Sequence, residues 1–310
     1  MENKKLAGHI ALFSANVIFG MNTPISRMLM PEILSPYTLT FFRLIGGTLL
    51  FWIISLFVRK EQVPAKDMWL LFFASFFALT LNQLPFFIGL SMTSPINSSI
   101  VVTTLPILTM ILSAIIIKER ITLMKAVGVV VGASGALLLV FSSHAHHAGK
   151  SNFWGDMIVF GAVASFAVYL TVFKNVITRY SPITIMKWMF LFGTIVCTPF
   201  CYTPLMQTDF TLLSAETFWR IGYMVVMATF LGYLLIPIGQ KVLLPTTLSM
   251  YNYLQPVVAS LLAVAIGMDT FGVEKALSAV LVFSGVYIVT QSKNGKRRWL
   301  VRKKRIAGNK

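Results

Sequence analysis

The chain has 310 residues, of which 56% are hydrophobic and only 12% are charged, and its mean hydropathy is +0.78. The polar residues are too few to cover a water-facing surface, so a soluble globular protein is excluded and the surrounding solvent is predicted to be lipid. The formal net charge of +16 would suit a nucleic-acid-binding protein, but the charges lie between and beside the apolar runs, as expected at membrane surfaces. We therefore predict no nucleic-acid partner.

Ten apolar runs of membrane-spanning length follow one another along the chain. Unbroken runs of about 20 apolar residues favour helices, because backbone polar groups in hydrocarbon must bond within their own segment. The sequence thus predicts an all-α integral membrane protein with ten transmembrane helices. The predicted spans are residues 7–29, 36–58, 67–90, 95–117, 122–142, 153–174, 182–204, 216–240, 246–268 and 272–292.

The second half of the chain repeats the first at an offset of 150 residues. The matched pairs are Gly89 and Gly239, Pro95 and Pro245, Pro106 and Pro256, Glu119 and Asp269, Lys125 and Lys275, and Gly135 and Gly285. Each copy contains five predicted spans, and this odd number implies that the second copy enters the bilayer inverted relative to the first. We predict repeats at 6–145 and 152–292, an arrangement typical of alternating-access transporters, followed by a basic tail at 293–310.

The basic residues predict the orientation. With ten spans both termini share one side of the membrane, and that side contains about 20 of the 26 Lys and Arg residues. The positive-inside rule then places both termini in the cytoplasm and the protein in the cytoplasmic (inner) membrane. The tail at 293–310 is predicted to contact anionic lipid headgroups, with a partner-binding or regulatory tail as the alternative. The sequence leaves the oligomeric state open.

Polar and aromatic side chains within the spans are candidates for a solute pathway. They are Asn16, Asn82, Gln83, Tyr251, Asn252 and Gln255, together with the aromatic residues Tyr169, Trp188 and Tyr233. An amide in hydrocarbon needs a partner, so each polar residue faces either a neighbouring helix or a solute. We predict that the cluster as a whole lines the pathway and that the aromatic residues form walls for a partly apolar solute. Simple helix packing is the alternative for each residue alone.

Prolines within the spans predict bends, because proline removes a backbone hydrogen bond. Pro106 and Pro256 occupy the same place in the two copies, as expected of paired kinked or discontinuous helices at a binding site. We predict a gating or bending role for this pair and for Pro85 and Pro237. A kink inherited for packing alone is the alternative.

Arg43 and Lys187 are the only basic residues that lie clearly within predicted spans, in equivalent helices of the two copies. Their depths of roughly 8 to 10 Å are within reach of opposite membrane surfaces. They could capture an anionic group such as a carboxylate at each mouth. Alternatively, they could anchor their helices at the interface or bond to a backbone carbonyl, and we favour this second role.

The remaining ionisable residues predict no chemistry. None of the ten carboxylates lies near the centre of a span, which disfavours a buried-carboxylate proton relay and slightly favours exchange or uniport. Glu119 and Asp269 are predicted to tie helix ends. The His144, His146 and His147 cluster lacks further ligands nearby, so we predict a solvated loop, no metal site and no cofactor. Catalytic motifs are absent, which argues against a membrane-embedded enzyme.

Four segments carry a family resemblance. They are Phe19 and Gly20 followed by Asn22, SPYTLTFFR at 35–43, PILTMILSAIIIKERIT at 106–122 and QPVVASLLAVAIGMDTFG at 255–272. In order and repetition they resemble the ten-helix, EamA-type members of the drug/metabolite transporter superfamily, over nearly all of 6–292. The sequence departs from the family pattern at Phe19, where the family often has Trp, and at Asp269, where it usually has Glu.

The resemblance implies a secondary carrier of a small organic solute, often an amino acid or related metabolite, frequently moved outward. A flippase for a lipid or lipid-linked sugar on the same fold is the main alternative. A sensor is disfavoured because no segment is long enough to form a soluble domain.

Overall fold

A computed structural model describes residues 2–30, 33–93, 95–142, 152–210, 214–265 and 272–292. Every regular element in these ranges is a helix. The helices are α1 (Glu2–Leu29), α2 (Pro36–Ser55), α3 (Ala65–Met92), α4 (Pro95–Val102), α5 (Leu105–Ile116), α6 (Leu123–Ser142), α7 (Phe153–Val172), α8 (Lys174–Ile177), α9 (Pro182–Met206), α10 (Ala215–Val242), α11 (Pro245–Met250), α12 (Leu254–Ala265) and α13 (Val273–Gln291).

Eight helical segments within the described ranges are long and apolar enough to cross a membrane. They are α2, α3, Asn97–Ile116, Leu123–Phe141, α7, α9, α10 and α13. Two of the predicted spans, 7–29 and 246–268, are not in this set. The first corresponds to α1, which has 28 residues but carries buried polar side chains such as Asn16 and Asn22. The second is interrupted, so that α11 and α12 have only 6 and 12 residues.

The starts of α2 and α9 follow the same local rule in the two halves. A serine precedes each helix, and its hydroxyl accepts a hydrogen bond from the backbone N–H three residues later. A proline follows each serine, at a position where the missing N–H costs nothing. Ser35 and Ser181 therefore fix where these helices begin.

The main helix contacts join one half of the chain to the other. α2 packs against α9, and α6 packs against α13. Both α3 and α5 of the first half pack against α7 of the second half. Correspondingly, α10 and α12 of the second half pack against α1 of the first half. Exchanging the two halves therefore reproduces the same set of contacts.

Glycines allow the backbones of α6 and α13 to touch. A Cβ atom on Gly285 would lie 2.5 Å from the backbone nitrogen of Gly132, and one on Gly128 would lie 2.9 Å from the carbonyl oxygen of Gly285. Such close approach is typical of helix pairs in membranes, where small residues increase van der Waals contact. The repeated glycines Gly135 and Gly285 therefore have a packing role at this interface.

We expect Gly285→Ala to lower the unfolding free energy by about 1 to 3 kcal/mol, because backbone atoms cannot move aside as a flexible side chain could. Gly161→Ala is the matched control, since a Cβ there meets no atom within 4 Å. The control should unfold at the same or a higher temperature, because alanine is the better helix former. Thermal unfolding of both purified variants in detergent checks this. Equal melting temperatures would contradict the backbone contact.

Ion pairs tie several helix ends. The Glu119 carboxylate lies 2.8 Å from Lys125 Nζ, and both side chains are buried, at 3% and 1% exposed. This contact gives Glu119 the tying role that its position predicts. Its repeat partner Asp269 lies outside the described residues, as do the cluster of His144, His146 and His147 and the basic tail at 293–310.

Candidate functional site

A cavity of about 130 Å³ lies between the two halves of the chain. The first half contributes residues of α1 to α5, and the second contributes α7, α10 and the segment around Asn252 and Gln255. A second cavity of about 70 Å³ adjoins it and shares Thr23, Phe86 and Val102 with it, as well as Asn252 and Gln255. The two cavities therefore form one polar and aromatic space.

Two helices are interrupted at this space. α4 ends at Val102 and α5 begins at Leu105, and both residues line the cavity. In the second half, a 3₁₀ turn at Tyr251–Tyr253 separates α11 from α12. Pro106 and Pro256 are the second and third residues of the helices that follow, where a missing N–H is tolerated. The matched prolines thus lie where two helices restart, and Pro256 lines the second cavity.

Two further helices widen beside the cavity. α3 contains a π-helical segment at Phe76–Thr80, and α10 contains one at Met224–Leu231. Asn82 and Gln83 follow the first segment directly, and Tyr233 follows the second. Such segments are frequent at functional sites because they rotate the side chains that follow them. The sequence pattern did not predict them.

Pro85 and Pro237 lie in α3 and α10, each after the π-helical segment of its helix. Pro85, Pro106 and Pro237 do not line either cavity. Any role of these three prolines in gating would therefore come from bending their own helices, because they do not line the cavities.

Amide side chains form a hydrogen-bonded network at one wall. Gln255 Nε2 donates to Asn16 Oδ1 at 2.8 Å and to Asn252 Oδ1 at 2.9 Å. Asn16 in turn donates to the Leu12 carbonyl, and Asn252 donates to the Ser249 carbonyl. Gln255 and Asn252 line both cavities, whereas Asn16 supports them from α1.

The opposite wall has polar groups that lack partners. Asn82 Nδ2 donates to the Ala162 carbonyl on α7 at 2.9 Å. Gln83 is only 3% exposed, and neither its amide nitrogen nor its oxygen makes a hydrogen bond of normal geometry in the described part of the chain, although the Tyr233 hydroxyl lies close to this amide. Asn22 Oδ1, on α1, is likewise buried and unpaired. Buried polar atoms rarely stay unpaired, so these atoms mark where a ligand or water would bind.

Arg43 lines the same cavity and is 4% exposed. Its Nε donates to Thr229 Oγ1 on α10 at 2.9 Å, and its guanidinium carbon lies 5.2 Å from the centre of the Phe87 ring. This placement differs from the mouth position and interfacial anchoring considered for Arg43 from its depth alone. The contacts with α10 and Phe87 hold the guanidinium inside the helix bundle.

Lys187 is placed quite differently from its counterpart. Its Nζ lies 5.3 Å from the ring of Trp52 and 5.6 Å from the ring of Trp188, outside both cavities. Trp188 packs on Trp52 and Phe192 and does not reach the cavity either. Arg43 and Lys187 lie in equivalent helices but have different surroundings, since Arg43 lines the cavity and Lys187 lies beside two tryptophan rings.

The two other predicted tyrosines, Tyr169 and Tyr251, form hydrogen bonds outside the two cavities. Tyr169 OH donates to Gln240 Oε1 at 3.0 Å, and the Tyr251 hydroxyl lies 2.7 Å from His9 Nδ1. Neither tyrosine lines a cavity, whereas Tyr233 does.

Several cavity residues were not predicted from the sequence. The aromatic ones are Phe19, Phe86, Phe87 and Phe166, and the polar ones are Asn22 and Thr23. Asn22 carried a usable signal, as an amide inside a predicted span. The phenylalanines carried none, because an aromatic residue in a membrane helix most often contacts lipid or another helix.

The sequence matches one family model in both halves. That model describes the EamA-like transporter family, and it matches residues 6–141 and 153–291. The chain belongs to the EamA-like transporter family. Because most of the chain is covered, this EamA-like protein is a transporter and not an enzyme.

Similar proteins agree with this assignment. An uncharacterized transporter of Archaeoglobus fulgidus is 26% identical over 266 residues, which cover 84% of this chain and 90% of that protein. The uncharacterized transporter YetK of Bacillus subtilis is 21% identical over 94% of this chain and 89% of its own length. A protein crystal structure with 16% identity superimposes with a TM-score of 0.76, covering 92% of this chain and 98% of that one. The last likeness concerns the fold alone.

Family and helices together show a multi-pass membrane protein of the EamA-like type. Its family implies a small-molecule solute and a membrane environment. The cavity between the halves is the candidate site for that solute.

Proposed function

We propose that this EamA-like transporter is a secondary carrier that moves a small organic solute across the cytoplasmic membrane by alternating access. The observation that carries the proposal is the polar cavity between the two halves, at the interruptions of two helices. Discontinuous helices around a central site are the architecture expected of such carriers. The solute would be an amino acid or related metabolite, moved outward.

The proposal includes ten membrane-crossing helices in two inverted repeats. The cross-half contacts support it, because exchanging the halves reproduces them. The cavity would then lie at the boundary between the repeats, with both termini in the cytoplasm and the tail at 293–310 against anionic lipid.

Contacts on one side of the cavity are those expected of a closed gate. His9 on α1 shares a hydrogen bond with Tyr251, and Tyr169 on α7 donates to Gln240 on α10. Lys174 Nζ donates to the Leu243 carbonyl oxygen at 2.7 Å. These contacts lie towards the N-terminal end of α1, which the proposed orientation places in the cytoplasm. We propose that they break when the carrier opens inward.

Counterflow of labelled amino acids and related metabolites into proteoliposomes tests the function. Saturable exchange of any member of the panel would support a carrier and identify its solute class. If folded protein exchanges none of them and instead moves fluorescent lipids between leaflets, the flippase alternative replaces the proposal.

We expect Tyr251→Phe to favour the inward-open state by about fivefold, because one hydrogen bond contributes about 1 kcal/mol to the closed gate. A cysteine at Thr23, in a chain with Cys197 and Cys201 replaced by serine, reports the state through labelling by a membrane-impermeant maleimide. Labelling from outside should slow in the Tyr251→Phe background. Tyr287→Phe is the control, since Tyr287 is 64% exposed on α13. Equal rates in both backgrounds would remove Tyr251 from the gate.

A further inference from the structure

We infer that the cavity selects a small organic carboxylate, bound through Arg43, in preference to an amine or a zwitterionic amino acid. This inference rests on the proposed function, and within the solutes proposed there it favours a related metabolite over an amino acid. Four features of the site support it: unused N–H donors of Arg43, the absence of carboxylates among the lining residues, buried amides and a small volume.

Arg43 has hydrogen-bonding capacity that the protein does not use. A guanidinium has five N–H donors, and only Nε has a partner, Thr229, within the described residues. The two terminal nitrogens, which carry the other donors, bond to no protein group there. Terminal nitrogens of arginine match a carboxylate in a planar, two-bond arrangement, which a lysine ammonium cannot reproduce.

Among the described residues, no carboxylate balances the charge of Arg43. No described carboxylate lies within 4.0 Å of its nitrogens, and the residues that line the two cavities include neither Asp nor Glu. A buried charge without a counter-charge is costly, and the Thr229 hydroxyl and the Phe87 ring offset only part of that cost. An anionic solute would supply the missing charge, whereas an amine would meet repulsion from Arg43.

The same charge balance distinguishes a hydroxy or keto acid from an amino acid. The ammonium group of an amino acid would find only neutral amides, hydroxyls and aromatic rings around the cavity. A hydroxyl or keto oxygen could instead use Gln83, whose buried amide makes no hydrogen bond of normal geometry among the described residues and lies beside the Tyr233 hydroxyl. Asn22 Oδ1 could accept from a solute hydroxyl as well. These groups favour a solute with a neutral polar substituent beside its carboxylate.

The size and lining of the cavity limit the rest of the solute. Its volume of about 130 Å³ is close to the ~150 Å³ of a protein cavity that binds benzene. Phe86, Phe87 and Phe166 supply apolar surface for a short carbon chain. The geometry therefore points to a short hydroxy or keto monocarboxylate.

Competition among compounds of equal size tests the class without any variant. Wild-type proteoliposomes are loaded with 2-hydroxybutyrate, and uptake of the labelled acid is measured against 2-aminobutyrate, 2-hydroxybutyramide and 1-amino-2-butanol. We expect saturable exchange of the hydroxy acid, with competition by the other three weaker by about tenfold or more, as the loss of charge-assisted hydrogen bonds predicts. Equal competition by the amide or the amine would overturn the carboxylate assignment while leaving the carrier intact.

Variants test the role of Arg43 directly. Arg43→Gln should lower hydroxy acid exchange by about tenfold or more, and Arg43→Lys should restore part of it as a point charge without the paired donors. Lys187→Gln is the matched control, because it removes a cation from the equivalent helix outside both cavities. Exchange by Arg43→Gln at the wild-type rate would overturn the inference.

A binding measurement separates the possible failures. The hydroxy acid should raise the melting temperature of wild-type protein in detergent, and should not raise that of Arg43→Gln. If none of the four compounds stabilises the protein or is exchanged, but another metabolite is exchanged, the solute class is refuted and the carrier function is not. An absence of exchange across the whole metabolite panel would refute the carrier itself.

Discussion

Replacing Gln255 by leucine is expected to reduce transport to background while leaving membrane insertion and thermal stability nearly intact. Leucine has a similar size but removes both hydrogen bonds that Gln255 Nε2 donates, to Asn16 and to Asn252. The cavity beside Gln255 can supply water to the stranded oxygens, so the protein should lose solute positioning more than folding. Asn252→Ala should have the same effect, because it removes the second member of the network.

Solute counterflow and the melting temperature in detergent check this prediction together. Gln207→Leu is the control for the chemical change itself, since Gln207 is an exposed residue at the end of α9. Normal transport by both Gln255→Leu and Asn252→Ala would remove the amide network from the pathway. Loss of transport accompanied by loss of folding would instead assign the network a structural role.

The buried ion pair between Glu119 and Lys125 is expected to give the largest change in stability. Lys125→Met removes the cation that lies 2.8 Å from the Glu119 carboxylate, which is 3% exposed and whose Oε2 makes no hydrogen bond among the described residues. Breaking one side of a buried pair typically costs about 3 to 5 kcal/mol. We therefore expect a strongly lowered melting temperature for the single variant.

The double change Glu119→Gln with Lys125→Met should recover most of that loss, because it removes both charges together. Glu216→Gln is the matched control, since Glu216 pairs with Arg220 on an exposed face of α10. Exposed pairs contribute about 0.2 to 1 kcal/mol, so this control should unfold close to the wild-type temperature. A Lys125→Met protein as stable as that control would contradict the buried pair.

Local features of the chain were predictable because their energies depend on neighbouring residues. The apolar runs indicate membrane helices, and the serines and prolines at 35–36 and 181–182 indicate helix starts, which the structure has at the same places. The clusters around Asn82 and Asn252 indicated polar positions next to prolines, and both reach the cavity. The paired Pro106 and Pro256 indicated the interrupted helices.

The different surroundings of Arg43 and Lys187 could not be predicted from the sequence. Both are cations at similar depth in equivalent helices, and nothing local distinguishes them. The difference arises from partners far along the chain, namely Thr229 and Phe87 for Arg43, and Trp52 for Lys187. The π-helical segments of α3 and α10 likewise have no sequence signal here, although six residues that follow them in these helices line the cavity.

The sequence by itself determined that this protein is helical, lies in lipid and repeats its own pattern, because hydropathy, helix capping and proline geometry act within one segment. Only the tertiary structure decided which polar groups share a cavity and which pack against rings or backbone. That choice depends on contacts between residues such as Arg43 and Thr229, which lie 186 positions apart. Their proximity results from packing the two halves against each other, so the pattern of any one segment does not predict it.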